Sequence, residues 1–374
     1  MKKFLPSPAV LILSGGLLSG GLQAQPTLKD TFKNDFLIGT ALNAAQVAGE
    51  NPREMELVRA QFNAISPENL LKWEAIHPAP DTYNFEPADS FVDFGVENHM
   101  FIVAHVLVWH EQTPRWVFHD AKGKLVDRDT LLARMREHIS TVVGRYKGKI
   151  NGWDVVNEAL DDSGRLRQTL WLRIIGDDYI AKAFQYAHEA DPKAQLFYND
   201  YLLENAAKRN AAIALIKRLQ ARGIPVAGVG LQGHYKLNWP SVAQLDQTIE
   251  AFSRAGIKVD ITELDMDMLP QATSSQAADI SMNFALRARL NPYTNGLPDS
   301  VQQAVASRYA DLFAVLVKHH QDVSRVTFWG VTDADSWLND WPVRGRTAYP
   351  LLFDRNCQPK PAFMAVIRTA HPGH

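Results

Sequence analysis

The chain has 374 residues, with 39 Lys+Arg against 41 Asp+Glu, 46% hydrophobic and 21% charged residues. That is enough to bury a substantial core, and it excludes disorder, collagen and coiled coil as whole-chain descriptions. The near-neutral charge offers no broad attraction to polyanions, so nucleic acid and anionic membrane are poor partners and a neutral substrate fits better.

From the N-terminus, Lys2 and Lys3, an apolar stretch from Ala9 to Leu18 and Leu22-Gln23-Ala24 read as a signal peptide over residues 1–24, with cleavage expected after Ala24. The apolar run is shorter than the roughly 20 residues a spanning helix needs, so the product is expected to be exported, secreted or periplasmic, and not held in a membrane. No Pro/Ser/Gly-rich linker interrupts residues 25–374, which predicts one catalytic-size domain. Cys357 is the single cysteine, so no internal disulfide can form and the core alone must hold the fold.

Eight short apolar, β-branched segments follow in order: Leu37–Ala41, Phe62–Ser66, Met100–Val106, Gly152–Glu158, Gln195–Asp200, Ala227–Gln232, Ile257–Glu263 and Arg325–Gly330. Between them lie helical patterns such as Leu131–Tyr146, Leu170–Ala190, Ala206–Arg222, Ser241–Ala255 and Val301–His320. Right-handed crossovers keep such strands parallel, so this alternation predicts an α/β fold, a closed (β/α)8 TIM barrel. The competing doubly wound open sheet normally carries a Gly-rich phosphate loop after its first strand. Gly39-Thr40-Ala41-Leu42-Asn43 lacks that spacing. The longest irregular connection expected, Leu269–Pro298, follows the seventh strand, on the face where barrel enzymes keep their sites.

What ends each strand is informative. Strand two runs into Glu68-Asn69 and Lys72-Trp73, strand three into His105 and Trp109-His110, and strand four into Asn157-Glu158. Strand five ends in Asn199-Asp200-Tyr201, strand six in Gln232 and His234, strand seven in Glu263 and Asp265, and strand eight in Trp329. A barrel rim far from a site has no reason to combine carboxylates, amides and tryptophans in this way. Glu158 and Glu263 follow strongly apolar runs, where a rigid backbone and partial desolvation tune a carboxyl pKa. Cleavage of a glycosidic bond needs such a pair, one carboxyl to protonate the leaving oxygen and one to attack or stabilise the oxocarbenium-like centre. Asn157 is placed to bond a sugar hydroxyl, and His234 to orient Glu263 and keep it charged. Trp109, Trp329 and Trp337 at one mouth would supply a platform for pyranose rings.

Other chemistries fit poorly. There is no His-Glu-x-x-His, and no His-x-His follows the first strand. His319-His320 lies in a helical pattern where the two rings diverge. A Gly-x-Ser-x-Gly elbow is likewise missing, so no metal, no cofactor and no Ser or Cys nucleophile is expected.

In matching order the chain carries Glu68-Asn69-Leu70-Leu71-Lys72-Trp73, His105-Val106-Leu107-Val108-Trp109-His110, Trp153-Asp154-Val155-Val156-Asn157-Glu158 and Asn199-Asp200-Tyr201. Gln232-Gly233-His234, Ile261-Thr262-Glu263-Leu264-Asp265 and Trp329-Gly330-Val331-Thr332-Asp333 complete the series. Over nearly the whole chain after residue 24 these motifs resemble glycoside hydrolase family 10, the retaining endo-β-1,4-xylanases built on a (β/α)8 barrel. The resemblance implies Glu158 as general acid/base, Glu263 as the nucleophile that forms a glycosyl-enzyme intermediate, and His234 hydrogen-bonded to it. It implies His105, Asn157, Gln232, Trp329 and Trp337 around the sugar that becomes attached, and Glu68, Asn69, Lys72, Trp109 and Gln112 on the next sugar toward the non-reducing end. Tyr201 would be a contact on the leaving side. The substrate would be xylan or a xylo-oligosaccharide, acted on by a monomer without cofactor.

The chain departs from the family at strand three, where Ala104, Val106 and Glu111 stand for Gly, Thr and Ser, and at Leu338, where Arg often follows the Trp. Altered subsite affinity is expected from these, with the chemistry unchanged. Two rivals compete with this reading. One is a β-1,4-glucanase or mannanase on a similar barrel, distinguished by whether the walls near Trp337 exclude a hydroxymethyl group. The other is a non-catalytic sugar-binding barrel, which would be expected to have lost a glutamate.

Overall fold

Runs of Val, Ile, Leu and Phe with no polar alternation can form strands only where both faces are covered, and that condition is met when a parallel sheet closes inside a ring of helices. The computed structural model describes Met1 and residues 25–270, 289–342 and 344–370. The expected signal peptide and part of the Leu269–Pro298 connection lie outside the described residues.

The strands are β1 Leu37–Leu42, β2 Ala64–Pro67, β3 Phe101–Val108, β4 Gly152–Asn157, β5 Gln195–Asp200, β6 Gly228–Leu231, β7 His234–Lys236, β8 Lys258–Asp267 and β9 Val323–Phe328. Parallel pairing runs β1-β2-β3-β4-β5-β6-β8-β9 and returns from β9 to β1, with Leu37 opposite Arg325 and Thr40 opposite Phe328. This return contact closes an eight-stranded barrel and rules out the open sheet. The short β7 continues the line of β6 and pairs with β8 alone, His234 opposite Asp265. It thereby prolongs β8 to Asp267, so Glu263 and Asp265 sit within a strand and not beyond its end.

Gly233, between β6 and β7, has φ +84, and a Cβ there would lie 2.8 Å from Ile261 Cγ2. Only glycine satisfies both the backbone and the space. The break lets Gln232 and His234 both line the barrel mouth.

Helices pack around the barrel, and their ends follow local chemistry. Asp127 caps Arg128–Arg145 by accepting from the Thr130 N–H at 2.8 Å, and Ser241 with Gln244 forms a capping box on Val242–Arg254. The pattern expected as one helix over Leu170–Ala190 is two, Leu170–Ile175 and Tyr179–Ala190. Gly176, at φ +99, ends the first, since a left-handed glycine at a C-terminus cannot continue the turn.

At the N-terminal end of the barrel Arg325 and Asp260 form a buried ion pair of 2.9 Å, with the guanidinium 5.4 Å from the Phe197 ring centre. Burial pushes the Asp260 carboxyl up to about 6 against the opposing pull of Arg325. The C-terminal strand ends, where the polar residues collect, form the other mouth.

Candidate active site

Strand irregularities aim the polar side chains. The pairing of β4 with β5 slips between Asp154 and Val156, that of β3 with β4 between His105 and Val108, and that of β8 with β9 between Ile261 and Leu264. An inserted residue resets the in-out alternation of a strand. On β8 the consequence is direct, because two successive side chains reach the same partner. Thr262 Oγ1 donates to Asn199 Oδ1 at 2.7 Å, and Asn199 Nδ2 donates to Glu263 Oε1 at 2.8 Å.

A cavity of about 350 Å³ at the barrel mouth is lined by Glu68, Asn69, Lys72, His105, Trp109, Gln112, Asn157, Glu158, Gln232, His234, Glu263, Trp329 and Trp337. Of the residues predicted for the site, Tyr201 alone lies outside it. Tyr201 lines a second cavity of about 400 Å³ with Trp239, Trp341 and others, and the two cavities share Gln232, His234 and Trp337 as a common wall.

Glu158 follows β4 with φ +56, a left-handed conformation that costs on the order of 1–2 kcal/mol for a residue with a Cβ. Five non-glycine residues among those described have positive φ, and three of them, Gln112, Glu158 and Leu202, line these cavities. Strain is therefore concentrated where function is expected. The Glu158 N–H donates to Asn199 O at 2.9 Å. Its carboxyl receives Gln232 Nε2 (2.9 Å) and Asn157 Nδ2 (3.2 Å) on Oε1, and Trp109 Nε1 (3.0 Å) on Oε2.

Glu263 is 5% exposed. Burial alone would raise its carboxyl, yet the hydrogen bond from His234, the charges of His105 and His234, and the Asn199 amide hold it at about 2. His234 is itself raised to about 10, since Asp265 and Glu263 together outweigh the desolvation that would lower it. As an imidazolium it donates from Nδ1 to Asp265 Oδ2 (3.0 Å) and from Nε2 to Glu263 Oε2 (3.1 Å). Trp337 Nε1 adds a second donor at 2.7 Å on the same Asp265 oxygen. His105 Nδ1 donates to Asp154 Oδ2 at 3.0 Å, and its ring meets Trp329 edge-on with centroids 5.5 Å apart. Thus two of the three predicted platform tryptophans, Trp109 and Trp337, commit their N–H to site carboxylates as well as walling the cavity.

At one end Lys72 Nζ donates to Asn69 Oδ1 and Gln112 Oε1, both at 2.9 Å, and stands 5.0 Å from the Trp109 ring centre. Burial lowers the Lys72 amine while Glu263, Glu68 and Glu158 pull it back. Burial raises Glu68, opposed by Lys72 and Asn69. Of the departures noted in the sequence, Glu111 is exposed on the rim, 3.8 Å from His110 Nε2. Leu338 is buried with Leu269 and Ala348.

Asp265 and Asn199 stand in the strand-end motifs but carry no predicted role, and Asp154 lies inside another motif. Their common signal is a polar side chain within or closing a buried strand, which demands a partner. Outside the cavity, Asp246, Glu250 and His319 offer ligand atoms within 4.8 Å of one another. Lys318 Nζ already stands 2.6 Å from Asp246 and 3.9 Å from Glu250, so the acidic charge there has a cation. No helix among the described residues is long and apolar enough to cross a membrane.

A carboxylate held ionised and a second carboxyl lining the same cavity are the groups that acetal C–O cleavage requires. Comparison with known proteins bears on the same point. The profile of glycosyl hydrolase family 10 matches residues 27–369. An endo-1,4-beta-xylanase A of Xylanibacter ruminicola is 46% identical over 92% of this chain and 94% of its own length. The structure of a family 10 endoxylanase from a sugarcane soil metagenome superposes with a TM-score of 0.87 at 44% identity, covering 93% of this chain and all (100%) of that one. An intracellular xylanase of Thermoanaerobacterium saccharolyticum, solved as a mutant in complex with xylotriose, has a TM-score of 0.79 at 36% identity over 92% of this chain and 99% of that one.

Proposed function

The chain belongs to glycosyl hydrolase family 10, and from that membership we propose that it is an endo-1,4-β-xylanase acting on xylan or xylo-oligosaccharides by a retaining double displacement. The observation that carries the proposal is the ionised Glu263, held at about 2 by His234 and Asn199 against the cavity that Glu158 also lines. In the first step a Glu263 oxygen attacks the anomeric carbon, the bond to the leaving oxygen breaks, and Glu158 delivers its proton to that oxygen. In the second, Glu158 takes a proton from water, the hydroxide oxygen bonds to the anomeric carbon, and Glu263 departs as carboxylate.

His234 orients the nucleophile from a position fixed by Asp265. His105, Asn157, Gln232, Trp329 and Trp337 surround the attached sugar, Glu68, Asn69, Lys72, Trp109 and Gln112 hold its non-reducing neighbour, and Tyr201 meets the leaving side. The xylanase names of the relatives support the choice of pentose, as does a near-neutral chain facing a neutral polymer. The proposal extends to an exported enzyme, on the reading of residues 1–24.

Proton NMR of xylotetraose hydrolysis tests mechanism and substrate together. The β-anomer is expected first, with internal bonds cut and equal-length cello-oligosaccharides turned over far more slowly. First appearance of the α-anomer would overturn retention, and faster cello-oligosaccharide cleavage would favour the glucanase. Sugar binding without new reducing ends would favour the non-catalytic barrel.

A further inference from the structure

The connection after β4 turns back on itself. Leu160 and Leu166 bridge antiparallel, and the Asp161 carboxylate closes the turn by accepting the backbone N–H groups of Ser163 and Arg165 at 2.9 and 3.0 Å. Arg167 leaves this turn with its own N–H bonded to Ala159 O at 2.8 Å. Its guanidinium then meets three acceptors. Nε donates to the Glu158 carbonyl at 3.0 Å, while Nη2 donates to the Leu160 carbonyl at 3.0 Å and to the Tyr201 phenolic oxygen at 2.7 Å.

These acceptors belong to different parts of the cleft. Glu158 lines the first cavity and Tyr201 the second. Glu158 also has the left-handed φ of +56, which a residue with a Cβ keeps only when its surroundings over-determine it. On its N-terminal side the peptide is held by Asn199 O, and on its C-terminal side the carbonyl is held by Arg167. Tyr201 is gripped twice, at its hydroxyl by Arg167 and over its ring by Lys208 Nζ, 3.6 Å from the centroid. A planar fork of fixed donors can serve three acceptors at once, which a lysine ammonium on a flexible stem cannot do with the same geometry.

We infer that Arg167 is a positioning residue that locks the backbone of Glu158 in its left-handed state and ties the acid to the leaving-side aromatic Tyr201. This rests on the assignment of Glu158 as the acid. An acid displaced by a fraction of an ångström fails where the leaving group needs a proton, and matters little where it does not.

The test compares kcat/KM for phenyl and 2,4-dinitrophenyl β-xylobioside in wild type, Arg167→Leu and Arg167→Lys. Phenol departs only with protonation and dinitrophenolate departs without it. Arg167→Leu is expected to lose about 100-fold on the phenyl substrate and less than about threefold on the dinitrophenyl one. Arg167→Lys, which keeps the charge but gathers its donors on a single nitrogen, should fall between, and it serves as the informative variant if the leucine chain fails to fold. In a Glu158→Ala background the Arg167 change should add nothing on the phenyl substrate. Parallel loss on both substrates, no loss on either, or a further loss beside Glu158→Ala would overturn the role of Arg167 alone. A wild type that releases neither phenol would overturn the glycosidase reading, and this inference with it.

Discussion

At the residue scale the controlling feature is one imidazolium between two carboxylates. The proposed attack needs Glu263 ionised, and its ordinary value of 4.5 is lowered to about 2, so the acid limb of kcat/KM should lie well below pH 4. In His234→Gln the neutral amide removes the charge that outweighed burial, and the acid limb should move up by more than about one pH unit, read from the pH dependence of kcat/KM. The same shifts act on stability. The lowered Glu263 contributes stability that is present above about 4.5 and lost as pH falls toward about 2. The raised His234 contributes stability that is full below about 6.5 and lost as pH rises through about 10. Urea denaturation should therefore show the largest gap between wild type and His234→Gln at pH 4.5–6.5, closing toward pH 10. Glu158, Glu263 and His234 stand out in the sequence because each closes or follows an apolar run. The dependence of His234 on Asp265 does not, since it needs the pairing of β7 with β8 to place the two side chains 3.0 Å apart.

At the element scale the strands hold the site through close backbone approach. Gly230 on β6 faces Asn199 on β5, and a Cβ there would lie 2.2 Å from Asn199 Oδ1 and 2.8 Å from Thr262 Cγ2. Asn199 is the residue that bonds both Asn157 (3.0 Å) and Glu263 (2.8 Å). Gly230→Ala is expected to displace that amide, lowering kcat at least about tenfold and stability by about 1–3 kcal/mol, by steady-state kinetics and urea unfolding. The strands themselves fall within a few residues of the apolar runs that predict them. Their bulges do not announce themselves, because an extra residue changes which side chain faces inward without changing composition. The helix expected as one over Leu170–Ala190 divides at Gly176 for a comparable reason, since a glycine inside an amphipathic pattern is compatible with either continuation or a left-handed stop.

At the scale of the whole molecule the barrel separates stability from chemistry along its axis. Arg325 and Asp260 are buried at the N-terminal mouth, remote from the strand ends that carry the site. Arg325→Met leaves the Asp260 charge without its partner and should cost about 3–5 kcal/mol in urea unfolding while kcat/KM stays within about twofold. With Cys357 as the single cysteine, the thermal midpoint should be the same with and without reductant. The sequence by itself determined the alternation of strands and helices, the closed parallel barrel as its simplest outcome, and the identity of the polar groups at each strand end, because these depend on local periodicity and on hydrophobic runs that demand burial from both sides. Only the tertiary structure decided which of those groups touch. The network of Asn199, Glu263, His234 and Asp265 and the bond from Arg167 to Tyr201 join residues far apart in the chain, and the left-handed turn at Glu158 is held between Asn199 and Arg167. Their contacts arise from register and bulge geometry, which no local pattern of residues encodes.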